Sequence, residues 1–237
     1  IIWPLNKLIL LPSKVPFFAI IVIELVSEEF GDIFFNELFS SCKKIFLISL
    51  FFFFSTKKVW CASSTHDGEE KICADVHKKL KNKHKNLLTI IIPRHIDRTK
   101  EIIGQIKELN LNIHLHNSKQ KIKKDTDIYL VNSFGQTKSF FKTCKTVFLG
   151  GSIVKHGGQN PLEAARFGCK ILHGPNISNF QEIYSMLNKY GLSNKVVNSN
   201  QIINKVKKSF NNKNNTQNIK IKIKNLGDKI LKLTLKE

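Results

Sequence analysis

After residue 56, apolar runs of strand length alternate with segments of helical period, and this constrains the fold more than any other feature of the chain. "KKVWCAS" (57–63) reads as a strand, and "NLLTIIIPR" (86–94) reads as a continuous buried-strand run ended by Pro93. Between them "DGEEKICADVHKKLKNK" (67–83) sets Ile72, Val76 and Leu80 four residues apart on one helical face. The alternation continues with a helix over 97–109, strands at 112–116 and 127–131, a helix near 136–143 and a strand at 146–150. A helix from Pro161, a strand at 169–174 and a helix over 178–190 follow. Strands apolar on both faces and separated by amphipathic helices predict an α/β fold, a Rossmann-like doubly wound parallel sheet covered on both sides.

Sheets of this kind bind ligands beyond the carboxyl ends of their strands. The distinctive residues of the chain fall in those loops: "SSTHDGEE" (63–70), "PRHIDR" (93–98), "NSFGQ" (132–136) and "GGSIVKHGGQN" (150–160). In the last, Gly150 and Gly151 are expected to let backbone approach a ligand, and Gly157 and Gly158 to take φ values that other residues resist. Asn160 is placed to cap a helix starting at Pro161, whose amino end would favour a phosphate, with Glu163 in its first turn accepting sugar hydroxyls or complementing the dipole. The same segment also reads as a capped helix behind a flexible turn. Arg94, His95 and Arg98 cluster after a buried strand, where Arg94 suits a phosphate or carboxylate. Thr65 and His66 precede a helix, where Thr65 or Asp67 caps it or the loop touches a ligand.

Composition is less telling. The 38 Lys and Arg against 18 Asp and Glu give a net charge of +20, which suits an anionic partner, but Lys, Asn, Ile and Phe abound together, as in an AT-rich coding sequence. Cys42, Cys61, Cys73, Cys144 and Cys169 lack zinc-ligand spacing and read as reduced thiols. His114 and His116 alternate onto one strand face, and two ligands do not make a metal site. The Lys-rich tail over 205–237 has no aromatic stacking platform, which argues against nucleic-acid binding, and its spacing predicts a closing amphipathic helix. Residues 1–56 are apolar and poorly periodic, with no run of the length needed to span a bilayer, and are expected to pack poorly and expose apolar area. Two parts are thus expected: 1–56, an apolar remnant, and 57–237, a nucleotide-sugar-binding domain with a carboxy-terminal helix.

"ASSTHDGEE", "IPRHIDR", "LGGSIVKHGGQNPLEAARFG" and "HGPNISNF" resemble, in order and spacing, the carboxy-terminal half of the bacterial 3-deoxy-D-manno-octulosonic acid (Kdo) transferases, over about residues 57–190. The resemblance implies the carboxy-terminal domain of a GT-B glycosyltransferase, which binds the nucleotide of CMP-Kdo. It implies inverting transfer of Kdo to the lipid A precursor, without metal or cofactor, at the cytoplasmic face of the inner membrane, where the protein is peripheral on anionic lipid. Carried onto this sequence, it puts nucleotide contacts at Pro93 and Arg94, at Phe134, Gly135 and Gln136, and at Asn160, Pro161, Leu162 and Glu163. Thr65, His66, His95, Gly151, Ser152 and Gly158 are further candidates.

Two departures stand out. Asn132 and Gln136 occupy positions where the family usually has carboxylates. Residues 1–56 are also too short for an acceptor domain, and none of Glu24, Glu28, Glu29 and Glu37 is marked as the general base. The alternatives to a whole enzyme are therefore a noncatalytic remnant that binds a CMP-sugar, or one half of a split enzyme whose partner chain supplies the acceptor domain.

Overall fold

A computed structural model of the chain describes residues 53–118, 120–135 and 137–211. The chain divides between Phe51 and Phe52, and the described residues all belong to the second unit. The expectations for the amino-terminal apolar runs up to residue 52, for Gln136 and for the tail beyond 211 lie outside the described residues.

Among the described residues, seven strands form one sheet: β1 (Lys58–Thr65), β2 (Leu87–Pro93), β3 (Ile113–Leu115), β4 (Ile128–Leu130), β5 (Thr146–Leu149), β6 (Lys170–His173) and β7 (Ser193–Lys195). Their order across the sheet is β3-β4-β2-β1-β5-β6-β7, and each neighbouring pair is parallel. The helices are α1 (Glu69–Lys81), α2 (Thr99–Lys107), α3 (Thr137–Thr143), α4 (Leu162–Arg166), α5 (Gln181–Lys189) and α6 (Ser199–Asn211). The chain winds outward in one direction from β1 to β2 and in the other from β5 to β7, so the strand order reverses between β1 and β5. That is the topological switch point of a doubly wound sheet.

Period-two alternation sorts the strand residues onto two buried faces. Trp60 and Ala62 of β1, Leu87 and Ile91 of β2, and Phe148 of β5 join one core with Val76 and Leu80 of α1, Ile102 and Ile106 of α2, and Ile202 and Val206 of α6. The residues between them, among them Cys61, Ile90, Tyr129 and Val147, are also buried. Tyr129 meets Phe140 of α3 at 5.8 Å and Phe54 edge-on at 5.3 Å. Phe54, expected to lie in a poorly packed segment, is 6% exposed and belongs to this aromatic cluster. His114 and His116 face the same ring: His114 stacks on Tyr129, and His116 Nδ1 lies 2.9 Å from its hydroxyl.

The hydrophobic pattern locates the elements well except at the edge. β7, with the polar sequence Ser-Asn-Lys, pairs with β6 alone among the described strands, and a strand at that position carries no apolar run for the sequence to reveal. No helix among the described residues is long and apolar enough to cross a membrane.

Candidate functional site at the switch point

Loops after β4, β2, β1 and β5 lie side by side along one rim, because those four strands are consecutive in the sheet. At about 4.8 Å per strand, the rim from β4 to β5 spans about 14 Å. At its centre β1 ends irregularly. The pairing with β2 slips between Ser63 and Thr65, and Ser64 takes φ 55°, a left-handed conformation that few residues other than glycine adopt. The slip turns the chain so that His66 follows directly at the rim, and the Thr65 carbonyl accepts the Arg94 N–H at 2.9 Å, tying the loops after β1 and β2 together.

A carboxylate holds the loop after β5. Glu69, fully buried in the first turn of α1, accepts the N–H groups of His66 (3.0 Å) and Gly151 (2.7 Å) on Oε2. Its Oε1 accepts those of Ser152 (3.1 Å) and Ile153 (2.9 Å). Successive backbone N–H groups form an anion-binding nest, and here the anion is part of the protein. This corrects the reading of the Gly-Gly-Ser turn as a direct ligand cradle. A Cβ on Gly150 would sit 2.3 Å from the Ser64 carbonyl oxygen, so the backbone that Gly150 admits is that of the β1 loop. Ser152 is equally internal: its hydroxyl donates to the Leu149 carbonyl (2.5 Å) and accepts the Gly174 N–H (2.8 Å).

Further bonds brace the turn. Gly157 and Gly158 do take positive φ, at 78° and 79°, and the Gly158 N–H returns to the Gly151 carbonyl at 2.8 Å. The loop after β6 supports it from behind, with the Asn176 N–H on the Ser152 carbonyl and the Asn176 amide on that of Ile153. The Asn-Pro-Leu-Glu segment departs from expectation by one residue. α4 starts at Leu162, Pro161 holds the cap position, and the Asn160 side chain accepts the Leu162 N–H at 3.0 Å. With α4 only five residues long and that N–H already bonded, the helix end is a weaker phosphate anchor than a full helix from Pro161. Glu163 is half-exposed, and its Oε1 lies 3.8 Å from Lys138 Nζ on α3.

The cap expected at α1 is absent too. Gly68, with φ 81°, occupies the cap position, Thr65 is fully buried, and Asp67 pairs with Arg98 at 2.8 Å. Arg98 also bonds Glu70 and Glu101 at 3.2 Å, so it is spent inside the protein. Burial raises the Glu70 carboxyl above its ordinary range, and Arg98 counters this. Arg94, four residues earlier, is exposed and enters none of the ion pairs among the described residues. Pro93 is buried at the end of β2, and His95 is exposed beside Arg94. In the loop after β4, Phe134 is 72% exposed and Gly135 takes φ 77°. Asn132 accepts the Asn117 N–H at 3.1 Å, so this amide closes a neighbouring loop.

Sequence reading missed His156, which stacks on His66 with ring centroids 4.2 Å apart. The signal available was the lone basic pair Lys155-His156 inside a glycine-rich loop.

The fold is a Rossmann-like, doubly wound α/β domain with a parallel sheet. The C-terminal CMP-Kdo binding domain of WaaA from Acinetobacter baumannii has this fold: TM-score 0.67, 24% identity, covering 73% of this chain and 90% of that domain. By sequence the chain is a relative of the Kdo transferases. It is 34% identical over 131 residues to the 3-deoxy-D-manno-octulosonic acid transferase of Haemophilus influenzae, covering 55% of this chain and 31% of the relative. To the transferase of that name from Rickettsia prowazekii it is 30% identical over 174 residues, 73% of this chain and 37% of the relative. The chain thus spans about a third of the length of these relatives. A bifunctional glycosyltransferase/methyltransferase of Fusobacterium nucleatum is 31% identical over 167 residues, 69% of this chain and 25% of the relative. No family model matches the chain.

Proposed function

We propose that residues 57–237 are the donor side of a glycosyltransferase that moves Kdo from CMP-Kdo to the lipid A precursor, in lipopolysaccharide synthesis at the cytoplasmic face of the inner membrane. The observation that carries this reading is Arg94, a guanidinium without an ion-pair partner among the described residues, on the central rim of a Rossmann-like sheet whose sequence and fold relatives are Kdo transferases and a CMP-Kdo binding domain. Pro93 and Arg94 address the phosphate, Phe134, Gly135 and Gln136 the base, and Asn160, Pro161, Leu162 and Glu163 the ribose. An exposed aromatic ring beside a positive-φ glycine suits stacking on a base, and a half-exposed carboxylate suits two vicinal hydroxyls.

In the transfer, an acceptor hydroxyl oxygen attacks the anomeric carbon of Kdo, and a base from the acceptor side takes its proton. The bond from that carbon to the phosphate oxygen breaks, and CMP departs with its electron pair. Charge grows on the phosphate as the bond breaks, so a fixed cation there stabilises the transition state more than the ground state. Arg94 is that cation. Peripheral contact with anionic lipid accords with the charge of +20.

Calorimetric titration of the full chain with cytidine monophosphate and with cytidine tests the assignment. Arg94→Ala is expected to weaken the monophosphate at least tenfold and leave cytidine almost unchanged, with an unaltered melting temperature. Glu163→Gln is expected to weaken both ligands by about 1.5–3 kcal/mol, the range for a hydrogen bond to a charged group. Equal loss of both ligands in Arg94→Ala, with a melt many degrees lower, would show Arg94 to be structural and the phosphate role wrong.

A further inference from the structure

Three imidazoles from three loops meet above the ends of β1, β2 and β5. His66 and His156 stack with planes 20° from parallel, and His95 meets His66 edge-on at 5.7 Å. His66 is 8% exposed, and its Nε2 is buried with no hydrogen-bond partner among the described residues. A buried ring nitrogen left unpaired forfeits the bond that it made to water, so such atoms are rare unless something else completes them.

The charges around the stack leave it without an anion. Glu69 is the carboxylate next to His66, and four backbone N–H groups already occupy its two oxygens. Asp67 and Glu70 are drawn off by Arg98. His156, His95 and Arg94 therefore disfavour a proton on His66, and among the described residues Glu69 is the group that favours one. Burial first, then His156, pulls the titration of His66 below its ordinary value, with His95 and Arg94 adding to this and Glu69 working against it. Empty, the cluster leaves His66 holding a proton less readily than an ordinary imidazole. An oxyanion entering it would reverse the repulsion and supply an acceptor for a ring N–H.

We infer that the His66–His156 stack, with His95 and Arg94 at its edge, is an oxyanion subsite that takes up a proton as it fills. Only the identity of its occupant rests on the donor-binding reading, which offers two oxyanions, the nucleotide phosphate and the carboxylate of the sugar acid. Because the bound form holds the proton more tightly than the empty form, affinity rises as pH falls through the bound-state titration and levels off below the empty-state one.

Isothermal titration of the full chain at pH 6, 7 and 8, in two buffers of different ionisation enthalpy, counts the protons. The ligands are inorganic phosphate, cytidine monophosphate, cytidine and free Kdo. Proton uptake with the monophosphate and phosphate assigns the subsite to phosphate, uptake with Kdo assigns it to the carboxylate, and cytidine should show none. His156→Asn, at an exposed position, is expected to melt like the parent chain. At pH 6 it should bind the preferred oxyanion about threefold to tenfold more weakly, with the gap closing by pH 8. Comparison at one pH cancels the ligand's own titration. His66→Gln should abolish the uptake.

If wild-type chain ignores cytidine monophosphate but binds phosphate with proton uptake, the donor reading fails and the subsite stands. If oxyanions bind with no proton uptake, or with the same proton count and affinity in both variants, the stack is packing only and the inference is overturned. Failure of the wild-type chain to bind any of the oxyanions overturns it as well.

Discussion

Two of the buried histidines, His77 and His66, anchor side-chain clusters that differ in whether the ring nitrogens are satisfied. Towards the amino ends of the strands, His77 is fully buried with Nδ1 on the Thr89 hydroxyl (2.8 Å) and Nε2 on Asp127 Oδ1 (3.2 Å). Asp127 also takes Lys81 Nζ at 2.5 Å and the Asn112 N–H at 3.0 Å. At the carboxyl ends, His66 is nearly as buried, yet one ring nitrogen has no partner among the described residues, and His156, His95 and Arg94 all disfavour a proton on the ring. A complete network specifies a core, whereas an incomplete one at a strand-end crevice leaves binding capacity for a ligand. Arg98 and Arg94 repeat the contrast four residues apart, the first tied to three carboxylates and the second to none among the described residues.

The largest effect is expected from Asp127→Ala. It leaves His77 without its acceptor and Lys81 without its counter-ion, and should lower unfolding free energy by about 3 kcal/mol, towards the low end for a broken buried pair because Lys81 is partly exposed. Chemical denaturation measures it, and nucleotide affinity of the folded fraction should not change. A variant as stable as the parent would remove the contrast between the two clusters.

Acid sharpens the same point. Burial pushes Asp127 upward, but the bonds from His77, Lys81 and the Asn112 N–H outweigh it and hold the carboxyl at about 2. Its contribution is complete above the unfolded value near 4 and disappears as pH falls through about 2. His77, lowered mainly by burial, begins to cost stability once pH falls below the ordinary histidine value, because the unfolded chain then binds a proton that the folded chain refuses. Unfolding free energy should therefore decline from about pH 6.5 downward, with a second, steeper fall below pH 4, and Asp127→Ala should flatten the second fall.

Glu69→Gln comes next. The amide puts a donor where two backbone N–H groups need an acceptor, at about 2–3 kcal/mol. Because Glu69 joins the loops after β1 and β5, this variant alone should lose stability and nucleotide affinity together. The smallest effects separate the arginines: Arg98→Ala should cost about 1–2 kcal/mol, chiefly by stranding buried Glu70, and Arg94→Ala less than about 0.5 kcal/mol. Equal melting temperatures for the two variants would mean that Arg98 is not the structural member of the pair.

The sheet was legible in the sequence because its central strands are buried on both faces, and burial demands nearly continuous apolar runs such as Leu87–Pro93, where Thr89 is the one polar side chain, that need no knowledge of their partners. The helices showed for a similar reason, since Val76 and Leu80 repeat at the period that sets them on one face. The rim followed from topology, as parallel strands place all their carboxyl ends together. What the tertiary structure decided is which polar residues on that rim are consumed. Glu69 and Gly151 meet across 82 positions of chain, and nothing local to either predicts it. His66 and His156 meet in the same way, and Arg94 differs from Arg98 only in which carboxylates the fold brings near. Apolar residues follow a pattern because any apolar neighbour serves them, whereas a charge or a ring nitrogen needs one partner at one distance and angle, and only the folded chain supplies or withholds it.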